Sequence, residues 1–127
     1  MTMSTHRTVL VVEDDQDVCD SVCDSLLDAG FAVSKASNGQ LALHALEAPN
    51  ALPGLVLLDL MMPVIDGEHF LKEMRKDPRL SALPVVLLTA DRQASAQAVA
   101  LGADHGLRKP VQLLDLIATV SKYCQAR

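Results

Sequence analysis

Apolar and polar positions follow two different periods along this chain. Val9-Leu10-Val11-Val12, Leu55-Val56-Leu57-Leu58 and Val85-Val86-Leu87-Leu88 are unbroken aliphatic runs, the pattern of strands buried on both faces. With two weaker runs they give five strand candidates, at 8–13, 32–36, 55–59, 84–89 and 105–108. Between and after them lie helical patterns at 16–29, 38–48, 67–76, 92–101 and 111–125. In the first, Val18, Val22, Leu26 and Ala29 recur at helical spacing, and Gly30 stands where a left-handed stop is needed. The last repeats this with Leu113, Leu114, Ile117, Val120 and Cys124, while the fourth is rich in alanine (Ala94, Ala96, Ala98, Ala100) and stops at Gly102. Strands alternating with helices of this length predict right-handed βαβ units and an α/β fold, a parallel sheet covered on both faces.

Composition narrows the class. A chain of 127 residues with no repeat, low-complexity tract or linker reads as one domain over 1–127. Half its residues are hydrophobic but only 2% aromatic, so aliphatic packing must dominate the core. A net charge of −5 argues against a nucleic-acid surface. No apolar stretch approaches the ~18 residues of a membrane span, and Met1 to Thr8 is polar, without a signal-peptide stretch. The expectation is a cytoplasmic protein that contacts neither nucleic acid nor membrane. Cys19, Cys23 and Cys124 form no disulfide framework and are expected as reduced thiols. His6, His44, His69 and His105 are scattered without ligand spacing.

The chemistry lies at the ends of the aliphatic runs. Glu13 and Asp14 follow the Val9–Val12 run, Asp59 closes the third strand candidate, Thr89 closes the fourth, and Lys109 follows the fifth. Open α/β sheets bind ligands at these carboxyl ends. Three converging carboxylates repel one another unless a cation sits among them, and Mg2+, with its hard oxygen ligands and retained waters, suits them. A carboxylate beside such a metal can attack phosphorus and form an acyl phosphate. Lys109 would balance the phosphoryl charge and the Thr89 hydroxyl would donate to it. Asp15 and Asp17 read instead as a helix cap and a first-turn acid, Asp66-Gly67 as a helix entry, and Asp104 as a loop carboxylate.

These segments resemble the receiver domain of two-component response regulators. The matching stretches are Val11-Val12-Glu13-Asp14-Asp15, Ser37-Asn38-Gly39-Gln40, Leu57-Leu58-Asp59-Leu60-Met61-Met62-Pro63 with Asp66-Gly67, Leu88-Thr89-Ala90, Leu101-Gly102-Ala103-Asp104 and Lys109-Pro110, in order across nearly the whole chain. The resemblance implies a flavodoxin-like, CheY-like (βα)5 fold, a doubly wound five-stranded parallel sheet of order 2-1-3-4-5. It implies Asp59 as phosphoacceptor, Mg2+ on Asp14, Asp59 and the main-chain oxygen of Met61, and Glu13 acting through a metal-bound water. It also implies Thr89 as switch hydroxyl, Lys109 on a phosphoryl oxygen, and a cis Lys109-Pro110 bond. The partner would be a sensor histidine kinase or histidine phosphotransfer protein. The chain would be no enzyme beyond catalysing its own phosphorylation and dephosphorylation.

Two positions depart from the family pattern. Gly106 stands where receivers usually carry an aromatic that swings with the threonine, and Val111 stands where phenylalanine is common. A glycine has no ring to move and permits close approach of another backbone, so an atypical readout is expected. Two other readings remain: a phosphorylation-independent scaffold, and a phosphotransfer enzyme of another aspartyl-nucleophile family. The second usually adds a cap domain and a second acid where this chain has Met61.

Overall fold

The computed structural model describes residues 8–47, 52–60 and 66–124. Strands and helices alternate: β1 (Thr8–Val12), α1 (Gln16–Asp28), β2 (Ala32–Ala36), α2 (Gly39–Ala45), β3 (Leu55–Asp59), α3 (Gly67–Lys76), β4 (Val85–Thr89), α4 (Ala94–Leu101), β5 (His105–Arg108) and α5 (Leu113–Tyr123). The strands form one parallel sheet, as the pattern predicted, in the order β2-β1-β3-β4-β5 that the resemblance implied, with β2 and β5 at its edges.

The period-2 alternation within each aliphatic run builds two cores. Leu10, Val12, Val56, Leu58, Val85 and Leu87 face Ala42 and Leu46 near α2, Phe70, Leu71 and Met74 of α3, and Ala98 of α4. Val9, Val11, Leu55, Leu57, Val86 and Leu88 face α1 and α5. These three central strands therefore need no polar face, and each fully buried Leu or Val contributes about 1.5–3 kcal/mol.

Helix phases differ from the sequence reading at two places. In α1 the buried stripe is Cys19, Val22, Cys23 and Leu26; Val18 is half-buried and Ala29 exposed. In α5, Leu116, Val120 and Cys124 set the buried line by their spacing of four. Leu114, two residues before Leu116, points about 200° away and is 83% exposed; Leu113, the first helical residue, is 55% exposed. The helices are also shorter than expected. Residues 92–93 and 111–112 are not helical, and Asn38 caps α2 from outside, its side chain accepting from the Leu41 N–H at 2.8 Å. The polar segment up to Arg7 lies outside the described residues.

Asp15 and Asp66 cap α1 and α3 as read, accepting from Asp17 and Val18 and from His69 respectively. Gly30 and Gly102 follow their helices at φ +97° and +86°. The three cysteines are buried and none forms a disulfide among the described residues. Cys19 and Cys23 lie with Sγ atoms 3.9 Å apart, and burial with the neighbouring Cys19 pushes the Cys23 thiol up to about 12. Asp104, read as a plain loop carboxylate, accepts from the Val85 N–H at 2.8 Å and pairs with Arg75 at 3.2 Å. Among the described residues, no helix is long and apolar enough to cross a membrane.

Candidate functional site

Parallel pairing brings the carboxyl ends of β1, β3, β4 and β5 to one edge, and the sequence places a polar group at each. Glu13, directly after β1, is held by its N–H donating to Ala36 O at 3.1 Å, and its carboxylate is buried. Asp59 ends β3 beside Leu88 of β4 and is 4% exposed. Thr89 ends β4, and its carbonyl accepts from the Lys109 N–H at 2.7 Å, fixing the start of the Lys109-Pro110 turn. That peptide bond is cis.

Lys109 Nζ lies 2.9 Å from Glu13 Oε1 and 3.3 Å from Asp59 Oδ1. Glu13, Asp14 and Asp59 each present a carboxylate oxygen, all within 4.8 Å of one another. Three carboxylates against one ammonium leave an excess of negative charge, and Asp14 opens the cluster to solvent. Hard oxygen donors at this spacing, one of them exposed, fit a small divalent cation that keeps waters. Met61, expected to add a main-chain oxygen, lies outside the described residues.

The electrostatics follow from this crowding. Burial pushes the Asp59 carboxyl up to about 7, Glu13's hydrogen bond and charge add to it, and Lys109 opposes both. For Lys109, burial favours the neutral amine, but the Glu13 hydrogen bond and the two carboxylates outweigh it and hold the ammonium above the ordinary lysine value.

Neighbouring backbone sets the shape. At Gly67, which opens α3, a Cβ would stand 2.7 Å from both the Asp59 carbonyl oxygen and the Leu60 Cα. Only glycine lets α3 start against the end of β3, where its N–H donates to Leu60 O at 3.0 Å. Beside Lys109 a largely apolar cavity of about 410 Å³ opens between Val18 and Val22 of α1 and Leu88, Pro110 and Val111. Thr89 Oγ1 accepts from the Asp91 N–H at 3.1 Å. This tether to the next loop was not read from the sequence, although a hydroxyl two residues before an N–H is its local signature.

All five side chains singled out in the sequence thus stand at one end of the sheet. The three carboxylates cluster, Lys109 pairs with Glu13 and Asp59, and Thr89 closes the neighbouring strand. The family described as response regulator receiver domain matches residues 9–121. The response regulator Rre1 of Synechocystis sp. is 40% identical over 121 residues, covering 93% of this chain and 52% of that protein. An uncharacterized 14.6 kDa protein of Leptolyngbya boryana is 39% identical over 123 residues, 93% of this chain and 90% of that protein. The chain thus spans most of one relative and about half of the other. Among solved structures, that of a putative response regulator from Chloroflexus aurantiacus J-10-fl superposes with a TM-score of 0.86 at 30% identity, covering 94% of this chain and 98% of that one.

Proposed function

Because the chain belongs to the response regulator receiver domain family of two-component signalling, we propose that residues 1–127 act as one receiver. In this reading Asp59 accepts a phosphoryl group from the phosphohistidine of a sensor histidine kinase or histidine phosphotransfer protein, in the cytoplasm, and the charged product alters a protein-interaction face. The observation that carries the reading is the convergence of Glu13, Asp14, Asp59 and Lys109, from distant parts of the chain, on one edge of the sheet.

A carboxylate oxygen of Asp59 attacks phosphorus as the phosphorus–nitrogen bond of the donor breaks. The imidazole, protonated on its other nitrogen, leaves neutral. Glu13, Asp14 and Asp59, with the Met61 main-chain oxygen, would hold Mg2+. Bound there, it would supply neutralisation of charge on the phosphoryl oxygens. Lys109 pairs with one of those oxygens and Thr89 donates its hydroxyl to another. The acyl phosphate carries about −1.5 to −2 charge at roughly neutral pH, in place of the single charge of an ionised carboxylate, in a site already rich in acids. The chain is its own substrate and its chemistry ends with hydrolysis of the acyl phosphate.

Incubation with a small radiolabelled phosphodonor and Mg2+ is expected to label the wild type and leave Asp59→Asn unlabelled. Equal labelling of both would move the acceptor elsewhere. Gly106, without a ring to swing, is the observation that favours a phosphorylation-independent scaffold; an unlabelled wild type would select that reading.

A second expectation concerns pH. An unfolded aspartate titrates at about 3.9, whereas buried Asp59 holds its proton up to about 7. Across that window the folded chain binds more protons than the unfolded one, so this group's contribution to stability is present at the acid end and is lost as pH rises. Mg2+ needs the carboxylate, so its stabilisation grows over the same span, to ~2.7 kcal/mol at a hundredfold excess over its dissociation constant. Thermal denaturation with and without Mg2+ should therefore diverge as pH is raised through 7 in the wild type and far less in Asp59→Asn. Parallel curves would place the proton on another group.

A further inference from the structure

The position that lacks an aromatic ring is not vacant. Gly106 is buried on β5. A Cβ there would collide with the carbonyl oxygen of Ala94, stand 2.7 Å from that carbonyl carbon and approach the Ala98 Cβ to 3.1 Å. The first two are backbone atoms, which cannot rotate aside. The first turn of α4 thus rests directly on β5, and only a glycine admits it.

Besides burial of Ala94 and Ala98 and the Gln97 N–H donating to Gln93 O at 2.9 Å, no capping side chain secures this turn. Gln93 makes no side-chain cap to α4, and the first turn carries no acidic residue. The buried Oε1 of Gln97 finds no hydrogen-bond partner, so the seated position leaves a polar atom unsatisfied. Val99, one turn on, is 78% exposed. The loop leading into the helix is tied back to the site. Thr89 Oγ1 accepts from the Asp91 N–H at 3.1 Å, and Asp91 Oδ1 accepts from the Gln93 N–H at 2.8 Å. A chain of contacts therefore runs from the Thr89 hydroxyl through Asp91 and Gln93 to Ala94 on Gly106.

We propose that the first turn of α4, seated on Gly106, is the moving part of this receiver's switch and takes the place of a swinging side chain. The inference rests on phosphorylation of Asp59. Rotation of the Thr89 hydroxyl toward the phosphoryl group takes its oxygen from the Asp91 N–H. The loop then relaxes and the α4 turn lifts off β5, freeing Gln97 to find water.

Hydrogen exchange on the full chain in Mg2+, with and without excess acetyl phosphate, tests this, with the mass of the intact chain read in parallel. Phosphorylated wild type is expected to exchange the amides of 94–101 roughly 5- to 30-fold faster than the unphosphorylated chain, the ratio that losing one or two modest contacts produces. In Thr89→Ala those amides should be fast from the start and gain little on phosphorylation. In Gly106→Ala they should be fast without phosphorylation while β3 and β4 stay protected. If that variant loses protection throughout, the wild-type comparison alone decides. A wild type that gains one phosphoryl mass with 94–101 unchanged overturns this inference and leaves the phosphoacceptor standing. A wild type that gains no mass overturns both.

Discussion

Replacing Lys109 by alanine is expected to slow phosphoryl transfer onto Asp59 by roughly 10²–10³-fold, the loss typical of removing one preorganised donor from a developing charge. The ammonium is held between Glu13 Oε1 at 2.9 Å and Asp59 Oδ1 at 3.3 Å, on a side chain 27% exposed. Two effects compound when it goes. A phosphoryl oxygen loses its partner. Asp59 also loses a cation that opposes burial and Glu13, so it holds its proton to still higher pH and is a poorer nucleophile near neutrality. Initial rates of label incorporation, measured from pH 6 to 9 at saturating Mg2+, should show a variant whose deficit narrows as pH rises. Lys109→Arg keeps the charge but not the compact ammonium and should fall between the two. An unchanged rate at neutral pH would remove Lys109 from the transfer step.

Arg75→Ala is expected to cost about 3 kcal/mol of folding stability, within the range for breaking a partly buried network. Its guanidinium donates to Ser81 O and Leu83 O at 2.9 and 2.8 Å, and to Gly102 O at 3.1 and 3.3 Å, besides pairing with Asp104. One side chain thus joins the end of α3, the segment before β4 and the turn between α4 and β5. Lysine cannot reproduce this fork, so Arg75→Lys should recover only part of the loss. Urea denaturation with an unchanged slope reads the difference. A loss below about 0.5 kcal/mol, the ordinary surface value, would mean that water satisfies these carbonyls equally well.

These two residues mark what the sequence showed and what it did not. Lys109 was legible because it stands at the carboxyl end of a strand, as Glu13 and Asp59 do, and parallel pairing makes such ends converge. The strands were legible because continuous aliphatic runs admit few other arrangements. Arg75 and Asp104 were not, because they lie 29 residues apart with no local pattern to link them. Helix phase failed at Leu113 and Leu114, where an apolar pair at a helix start resembles a core stripe until packing selects Leu116 and Val120. The Gly106 departure was visible in the sequence. That a backbone turn from α4 fills the space is a three-dimensional fact with no sequence signature of its own.

The two outermost strands carry a consequence of another kind. An open sheet leaves a row of unpaired amides and carbonyls along each border, and such rows recruit strands from other molecules. Here β2 places Lys35 on one border, ion-paired with Asp20 at 3.2 Å, and the other border is a four-residue strand ending in exposed Arg108. Any incoming strand would have to bury a cation or settle for very few pairings, so the aliphatic sheet is guarded against aggregation at the margins where it is most open to it.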